Sequence, residues 1–175
     1  MTTTRPERPT WVGTSGPDVT LGVPAPRSVD RLVVHQVDPA RPSPGGIDSC
    51  LRGLLRYAPA GMSIAVVGVD VGTVAGRRLG SWELHRWGSR SAFFLPVATL
   101  DPGDQRRRVP HSVRLVAGLT RFRGRLPSAG VVQAHRADVA TAVHALVPSR
   151  LAYFIHNQAS GLTGDTSDSF WRRLG

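Results

Sequence analysis

Val33-Val34-His35-Gln36-Val37-Asp38 is followed by the Pro-rich segment 39–44 and then by Gly45-Gly46-Ile47-Asp48. The apolar start of this stretch predicts a strand buried on both faces, and the glycine pair predicts a turn at the mouth of a helix. Backbone without side chains approaches a phosphate closely, and a helix N-terminus offers unpaired N–H groups and a positive dipole end. The stretch is therefore typical of an anion site, although an ordinary strand-to-helix turn has the same layout.

Strands and helices alternate along the rest of the chain. Strands are expected at 30–36, 63–69, 131–135 and 150–155, and helices are expected from Ile47, at 111–123 and behind an N-cap at Asp138. Residues 81–97 predict a hairpin, or a strand that arrives after a surface loop. This alternation indicates an α/β fold, a Rossmann-like three-layer domain with a mostly parallel sheet.

The composition of the chain predicts three regions. Residues 1–28 are rich in Thr, Pro, Gly and Arg and predict a disordered or loosely packed leader. Residues 29–160 form the expected Rossmann-like domain. Residues 161–175 predict a polar loop and the start of a helix that looks cut short.

Apolar spacing predicts which face of each helix is buried. For the first helix the expected inner residues are Ile47, Cys50, Leu51, Leu54 and Leu55. For the second they are Val113, Val116, Ala117 and Thr120. The single cysteine, Cys50, is thus expected to be a buried, inert thiol.

The charge and the cysteine content of the chain bear on its binding partners and on its location in the cell. The net charge is +10, and all 22 basic residues are arginine, which a codon bias explains as simply as a functional basic surface. The arginines are scattered except for Arg106-Arg107-Arg108, so we expect no specific nucleic-acid binding, with contact to an anionic membrane as the alternative reading of the triplet. One cysteine excludes an internal disulfide and, with no apolar run of about 18 residues, favours a cytoplasmic location.

Three expected strands end in polar residues, at His35-Gln36, His135-Arg136 and His156-Asn157-Gln158. Ligands of open α/β sheets bind beyond the carboxyl ends of the strands, so these ends are expected to converge with Gly45-Gly46 on one crevice. The remaining histidines are expected at the surface or at helix caps, and they are His85, His111 and His144.

Pro44-Gly45-Gly46-Ile47-Asp48, together with Val131-Val132-Gln133-Ala134-His135 and Tyr153-Phe154-Ile155-His156, resembles a known family. In order and spacing these motifs are similar to the N-terminal, glycosyltransferase-4-like domain of retaining GT-B glycosyltransferases, over residues 30–158. The resemblance implies the N-terminal half of a GT-B fold. It also implies transfer of a sugar from a nucleotide-sugar donor to a sugar, lipid or small-molecule acceptor, with no cofactor or metal besides that co-substrate.

The same resemblance implies roles for individual residues. Gly45 and Gly46 would face the donor diphosphate, and His135 would line the cleft. His156 would be the catalytic residue, holding the transferred sugar and its developing positive charge. Asn157, beside it, would bind substrate or donor.

The chain departs from the family pattern at several places. Asp48 stands where the family has Glu, Gln133 replaces the first His of a His-x-His pattern, and Arg136 stands where an acidic or polar residue is common. The family's C-terminal donor-binding domain has no counterpart in these 175 residues. We therefore expect a fragment, one half of a split enzyme completed by a separate subunit, or a remnant. The alternatives in function are a non-catalytic binding or regulatory module and an unrelated flavodoxin-like phosphate binder.

Overall fold

The computed structural model describes residues 16–41, 45–101 and 109–155. Within them, seven strands form one sheet: β1 (Asp18–Leu21), β2 (Ser28–Val34), β3 (Ile64–Asp70), β4 (Glu83–Trp87), β5 (Arg90–Thr99), β6 (Ser128–Ala134) and β7 (Leu151–Tyr153). The helices accompanying them are α1 (Gly46–Tyr57), α2 (His111–Arg121) and α3 (Ala137–Leu146), with a 3-10 turn at Arg123–Arg125.

The strands are ordered β1-β4-β5-β3-β2-β6-β7. The five from β5 to β7 are parallel, whereas β4 pairs antiparallel with both β5 and β1. Counted along the chain, the parallel strands lie in the order third, second, first, fourth, fifth, which is the order of a doubly wound sheet. The predicted α/β, Rossmann-like, mostly parallel architecture is confirmed, and the segment 81–97 is a hairpin.

Helices cover both faces of the sheet and divide the core in two. Leu51 and Leu55 of α1 pack with Val33, Val66 and Phe94 on one face. On the opposite face, α2 and α3 pack on alternate residues of the same strands through Leu115, Leu119, Val139 and Val143. Because successive residues of a strand point to opposite faces, each fully apolar strand serves both layers.

The inner face of α1 agrees with its apolar spacing except at one residue. Leu51 and Leu55 are buried, and Ile47 and Leu54 are half-buried against the same core. Cys50, however, is an exposed free cysteine, so the expected buried thiol is wrong. Cys50 lies at the edge of the apolar stripe of α1, and the larger side chains of Leu51 and Leu55 make the contact with the sheet.

The predicted inner face of α2 is wrong as well. The helix buries Ser112, Leu115, Gly118 and Leu119, while Ala117 and Thr120 are exposed. A Cβ built on Gly118 would lie 2.2 Å from the carbonyl oxygen of Val97, so the helix backbone lies almost directly on β5. Only glycine allows that approach, and it turns the two leucines inward.

The sheet begins earlier than the sequence suggests. β1 lies inside the segment 1–28 predicted as a leader, and it pairs with β4 from Asp18↔Arg86 to Leu21↔Glu83. Its residues are mostly exposed, so no apolar alternation marks it in the sequence. Residues 1–15 and 156–175 lie outside the described part. In the part that is described, no helix has the length and apolar character needed to cross a membrane.

Candidate functional site

The carboxyl ends of β2 and β6 lie side by side, and β2 is the middle one of the five parallel strands. From β2 the chain moves to β3 on one side, whereas β6 pairs with β2 on the other, so this is the switch point at which open α/β sheets bind ligands. His35 follows β2 and His135 follows β6. Their rings are 5.5 Å apart at an interplanar angle of 60°, and both residues are buried. The predicted convergence holds for these two strand ends.

The N-terminus of α1 adjoins this histidine pair. α1 begins at Gly46, and Gly45 precedes it with φ of +157°, a backbone conformation that other residues rarely adopt. Both glycines are exposed, and a Cβ on either would meet no described atom within 4 Å. Asp48, in the first turn, lies with Oδ1 3.8 Å from Nε2 of His35. The predicted glycine turn is thus an exposed helix start linked to the histidines through Asp48.

His135 is held from β6 and from β2 at the same time. Gln133, two residues earlier and 2% exposed, has its Nε2 2.7 Å from Nε2 of His135. Arg31 of β2 donates from its NH1 to Oε1 of Gln133 at 2.9 Å. Arg31 is not among the residues predicted for the site from the sequence. The available signal was its position as a charged residue in an apolar strand, on the face that also carries Val33 and His35.

Phe154, directly after β7, covers the other side of His135. The two rings stack with centroids 5.4 Å apart and an interplanar angle of 24°, and Phe154 remains 39% exposed. Tyr153 and Ile155 on either side are also exposed. A flat aromatic ring at the rim of the crevice is a surface on which a sugar or a base can stack.

His156 and Asn157, the predicted catalytic and binding residues on this strand, lie outside the described residues. β7 pairs parallel with β6 from Val132↔Leu151 to Ala134↔Tyr153. Its carboxyl end therefore lies at the same edge of the sheet as His135.

Arg136 and Asp138 begin the next helix at this edge. The helix N-cap is Arg136, so Asp138 is not the N-cap that the sequence predicts but a residue of the first turn. Asp138 accepts two hydrogen bonds from Arg136, at 3.1 and 3.0 Å, and one from the Val139 amide at 2.9 Å. Burial acts to raise the pKa of Asp138, but the hydrogen bonds and positive charge of Arg136 act against it, and that pKa lies below its ordinary value.

A second polar cluster lies on the α1 face of the sheet, around Arg77. The guanidinium is 1% exposed and contacts three carboxylates, at 2.5 Å from Asp38, 3.1 Å from Asp70 and 2.8 Å from Glu83. Burial acts to lower the pKa of Arg77, yet the hydrogen bonds that it donates to Asp38 and Glu83 raise that pKa above the ordinary value. Arg77 therefore stays charged and joins the loop after β2, the end of β3 and the start of β4.

The same cluster corrects one sequence expectation. His85 is fully buried, not a surface or cap residue, and its Nε2 lies 2.9 Å from Oε2 of Glu83. Alternation in β4 places Glu83 and His85 on one face, but the sequence does not show which face is covered. The carboxylates of this cluster are all paired with Arg77 or His85. We therefore interpret the cluster as structural: it holds the loop after β2 against the ends of β3 and β4, whereas the start of α1 is exposed.

The described residues offer no metal centre: over 16–41, 45–101 and 109–155, no group of three or more His, Cys, Asp or Glu side chains is arranged to hold a metal ion. What the crevice offers instead is backbone N–H groups at the start of α1, two imidazoles and an aromatic ring. Backbone N–H groups at a helix start are donors suited to an oxygen-rich, anionic ligand. Comparison of the chain with known proteins finds no family model, no curated protein and no solved structure that matches it.

Proposed function

We propose that this chain is the acceptor-side domain of a glycosyltransferase that uses a nucleotide-sugar donor, completed by a donor-binding domain or subunit. The observation that carries the proposal is that His35, which lies 3.8 Å from Asp48 in the first turn of α1, packs its ring 5.5 Å from that of His135 at the switch point of the sheet. In this assignment the helix start faces the donor diphosphate, and His135 faces the sugar or the acceptor. The motif resemblance over residues 30–158 gives the reaction class.

The start of α1 offers backbone amides to a diphosphate ligand, and the Asp48 carboxylate of the same turn lies 3.8 Å from Nε2 of His35. A helix N-terminus carries the equivalent of about half a positive charge, and the first amides have no intrahelical partner. The N-cap of α1 is Gly45, which has no side chain to occupy those amides. A leaving diphosphate gains negative charge as the glycosidic bond breaks, and donors already in place stabilise it without reorganisation.

Roles for His156 and Asn157 remain predictions from the resemblance. In the proposed reaction His156 holds a hydroxyl of the transferred sugar, and Asn157 binds substrate or donor. The acceptor is a sugar, a lipid or a small molecule, and an anionic membrane surface is the expected site of a lipid acceptor.

Binding is tested by NMR titration of the chain with UDP-glucose, GDP-mannose and pyrophosphate. We expect chemical-shift changes at the backbone amides of residues 46–48 and at the His135 side chain. Gly46→Asp should abolish them, because a carboxylate at the first helical position repels the diphosphate while favouring the helix itself. Gly53→Asp is the matched control, since it adds the same charge about 10 Å further along α1, at a position where a Cβ meets no atom within 4 Å.

Transfer is tested with the chain joined to its donor-binding domain or subunit. His135→Ala should lower the rate at least about tenfold, the equivalent of about 1.4 kcal/mol and typical of one hydrogen bond to a charged group. His144→Ala, on the exposed side of α3, should leave the rate unchanged. Binding at residues 46–48 without any transfer would assign the chain as a non-catalytic binding module, and absence of binding with all three probes would refute the assignment of the crevice.

A further inference from the structure

A chain of hydrogen bonds behind the crevice determines the protonation of His135. It runs from Arg31 through Gln133 to His135, over distances of 2.9 and 2.7 Å, and its middle member is 2% exposed. The direction of each bond is fixed by chemistry. A guanidinium group only donates hydrogen bonds, so the amide oxygen of Gln133 must face Arg31.

The orientation of Gln133 then decides which nitrogen of His135 carries a proton. With its oxygen toward Arg31, the amide presents its NH₂ group to Nε2 of His135. That NH₂ group donates, so Nε2 must accept and cannot bear a hydrogen. We infer that Gln133 is a positioning residue that holds His135 as the neutral Nδ1–H tautomer.

The inference changes the role that His135 can have. With Nε2 accepting from Gln133, the ring hydrogen of His135 lies on Nδ1. In the proposed function this Nδ1–H donates to a phosphate or sugar oxygen, a role that rests on that function, whereas the tautomer does not. Gln133 departs from the His-x-His pattern, and in this inference its amide sets the tautomer of His135.

Charged and titratable groups around the pair belong to three elements. Arg31 of β2 lies behind Gln133, and its positive charge disfavours an imidazolium. His35 lies 5.5 Å from His135, and Asp48 of α1 lies 3.8 Å from His35 rather than against His135. Arg136, the next residue, is paired with Asp138.

His85 supplies an internal reference of opposite chemistry. Its Nε2 faces Oε2 of Glu83 at 2.9 Å, and Glu83 is an ionised acceptor because it also receives hydrogen bonds from Arg77. The Nε2 of His85 must therefore donate, so this nitrogen bears a proton. One protein thus holds two buried histidines whose neighbours make opposite demands on Nε2.

The test is two-bond ¹H–¹⁵N correlation NMR of the chain labelled with ¹⁵N-histidine at pH 8, with each ring assigned by single substitution. A ring nitrogen without a hydrogen resonates far downfield of one that bears it. We expect Nε2 to be the downfield nitrogen in His135 and to bear a hydrogen in His85. The spectrum of the wild-type chain alone overturns the inference if Nε2 of His135 bears the proton.

Two substitutions test the cause. Gln133→Glu replaces the donor by an acceptor, so Nε2 of His135 should then bear a proton. Gln133→Met removes the hydrogen bond at similar volume, and both tautomers should then be populated. An unchanged Nδ1–H tautomer in either folded variant would refute the role of Gln133. Neither measurement uses a ligand. The tautomer of His135 can therefore be established or refuted whether or not the proposed function is correct.

Discussion

Gly68→Ala tests how the end of β3 supports the loop that carries His35. A Cβ on Gly68 would lie 2.2 Å from the carbonyl oxygen of Val37, 2.9 Å from the ring of Phe94 and 3.3 Å from the carbonyl oxygen of His35. The loop cannot easily retreat, because the His35 amide donates to Val67 and the Val69 amide donates to Val37, both at 3.1 Å. The added methyl therefore meets backbone on one side and the core on the other.

The magnitude follows from that geometry. A carbon and an oxygen that are not bonded to each other need well over 3 Å, so the loop and β3 must separate by about 1 Å, which strains or breaks the two hydrogen bonds. Overpacking of this kind costs about 1–3 kcal/mol. Without the clash, replacing a strand glycine by alanine would stabilise the fold by roughly 0.5–1 kcal/mol, so the two cases differ in sign.

Urea and thermal unfolding measure the effect. A loss of about 2 kcal/mol corresponds to a fall in Tm of about 4–8 °C for a chain of this size. Gly53→Ala in α1 is the control, since its Cβ meets no atom within 4 Å and should stabilise the helix by up to about 1 kcal/mol. If Gly68→Ala is as stable as the wild type and the NMR signals of His35 do not move, the reasoning from close backbone contact is refuted.

Arg77→Met should lower the free energy of unfolding by about 3–5 kcal/mol in urea titration, because the buried carboxylates of Asp38 and Glu83 lose their guanidinium partner; a loss below about 1 kcal/mol would contradict the buried network. Asp138→Asn should destabilise the chain at neutral pH. Because the pKa of Asp138 is lower in the folded chain, its contribution is present above the unfolded value of 3.8 and is lost as the pH falls through the folded value. Thermal scans from pH 7 to 3 should show the gap between variant and wild type closing, and a constant gap would argue against a charge effect. Trp82→Phe should cost about 1 kcal/mol, since it removes the 3.1 Å hydrogen bond from Nε1 to the carbonyl of Arg125 while keeping an aromatic ring, and unfolding in urea checks this.

Most of the predictable fold came from apolar runs. β3 has the sequence Ile-Ala-Val-Val-Gly-Val, and its apolar side chains are buried only when both faces of the strand are covered. This run by itself therefore predicts a central strand of a parallel sheet. The inner face of α2 could not be predicted in this way. Two stripes of similar hydrophobicity run along that helix, and the choice between them depends on the fit of Gly118 against Val97.

The candidate site shows the same division. That His35 and His135 lie at one edge of the sheet follows from the alternation of strands and helices, because parallel strands finish at one edge. That they end neighbouring strands does not, since β2 and β6 pair across a crossover. That Gln133 bridges Arg31 and His135 depends on the register of β6 against β2, which pairs Val33 with Gln133 and Arg31 with Val131. No local pattern specifies that register.

The sequence by itself determined the α/β class, the helix start at Gly46 and the polar ends of the central strands, because these depend on interactions between residues close in the chain. Tertiary structure alone decided the burial of His85, the ion network of Arg77 and the hydrogen-bond chain that ends at His135. Each of these joins residues that are far apart in the chain, such as Arg31 and Gln133 or Asp38 and Arg77. Their energies come from burial of charge and from exact donor–acceptor direction, and both arise only when the strands have been assembled.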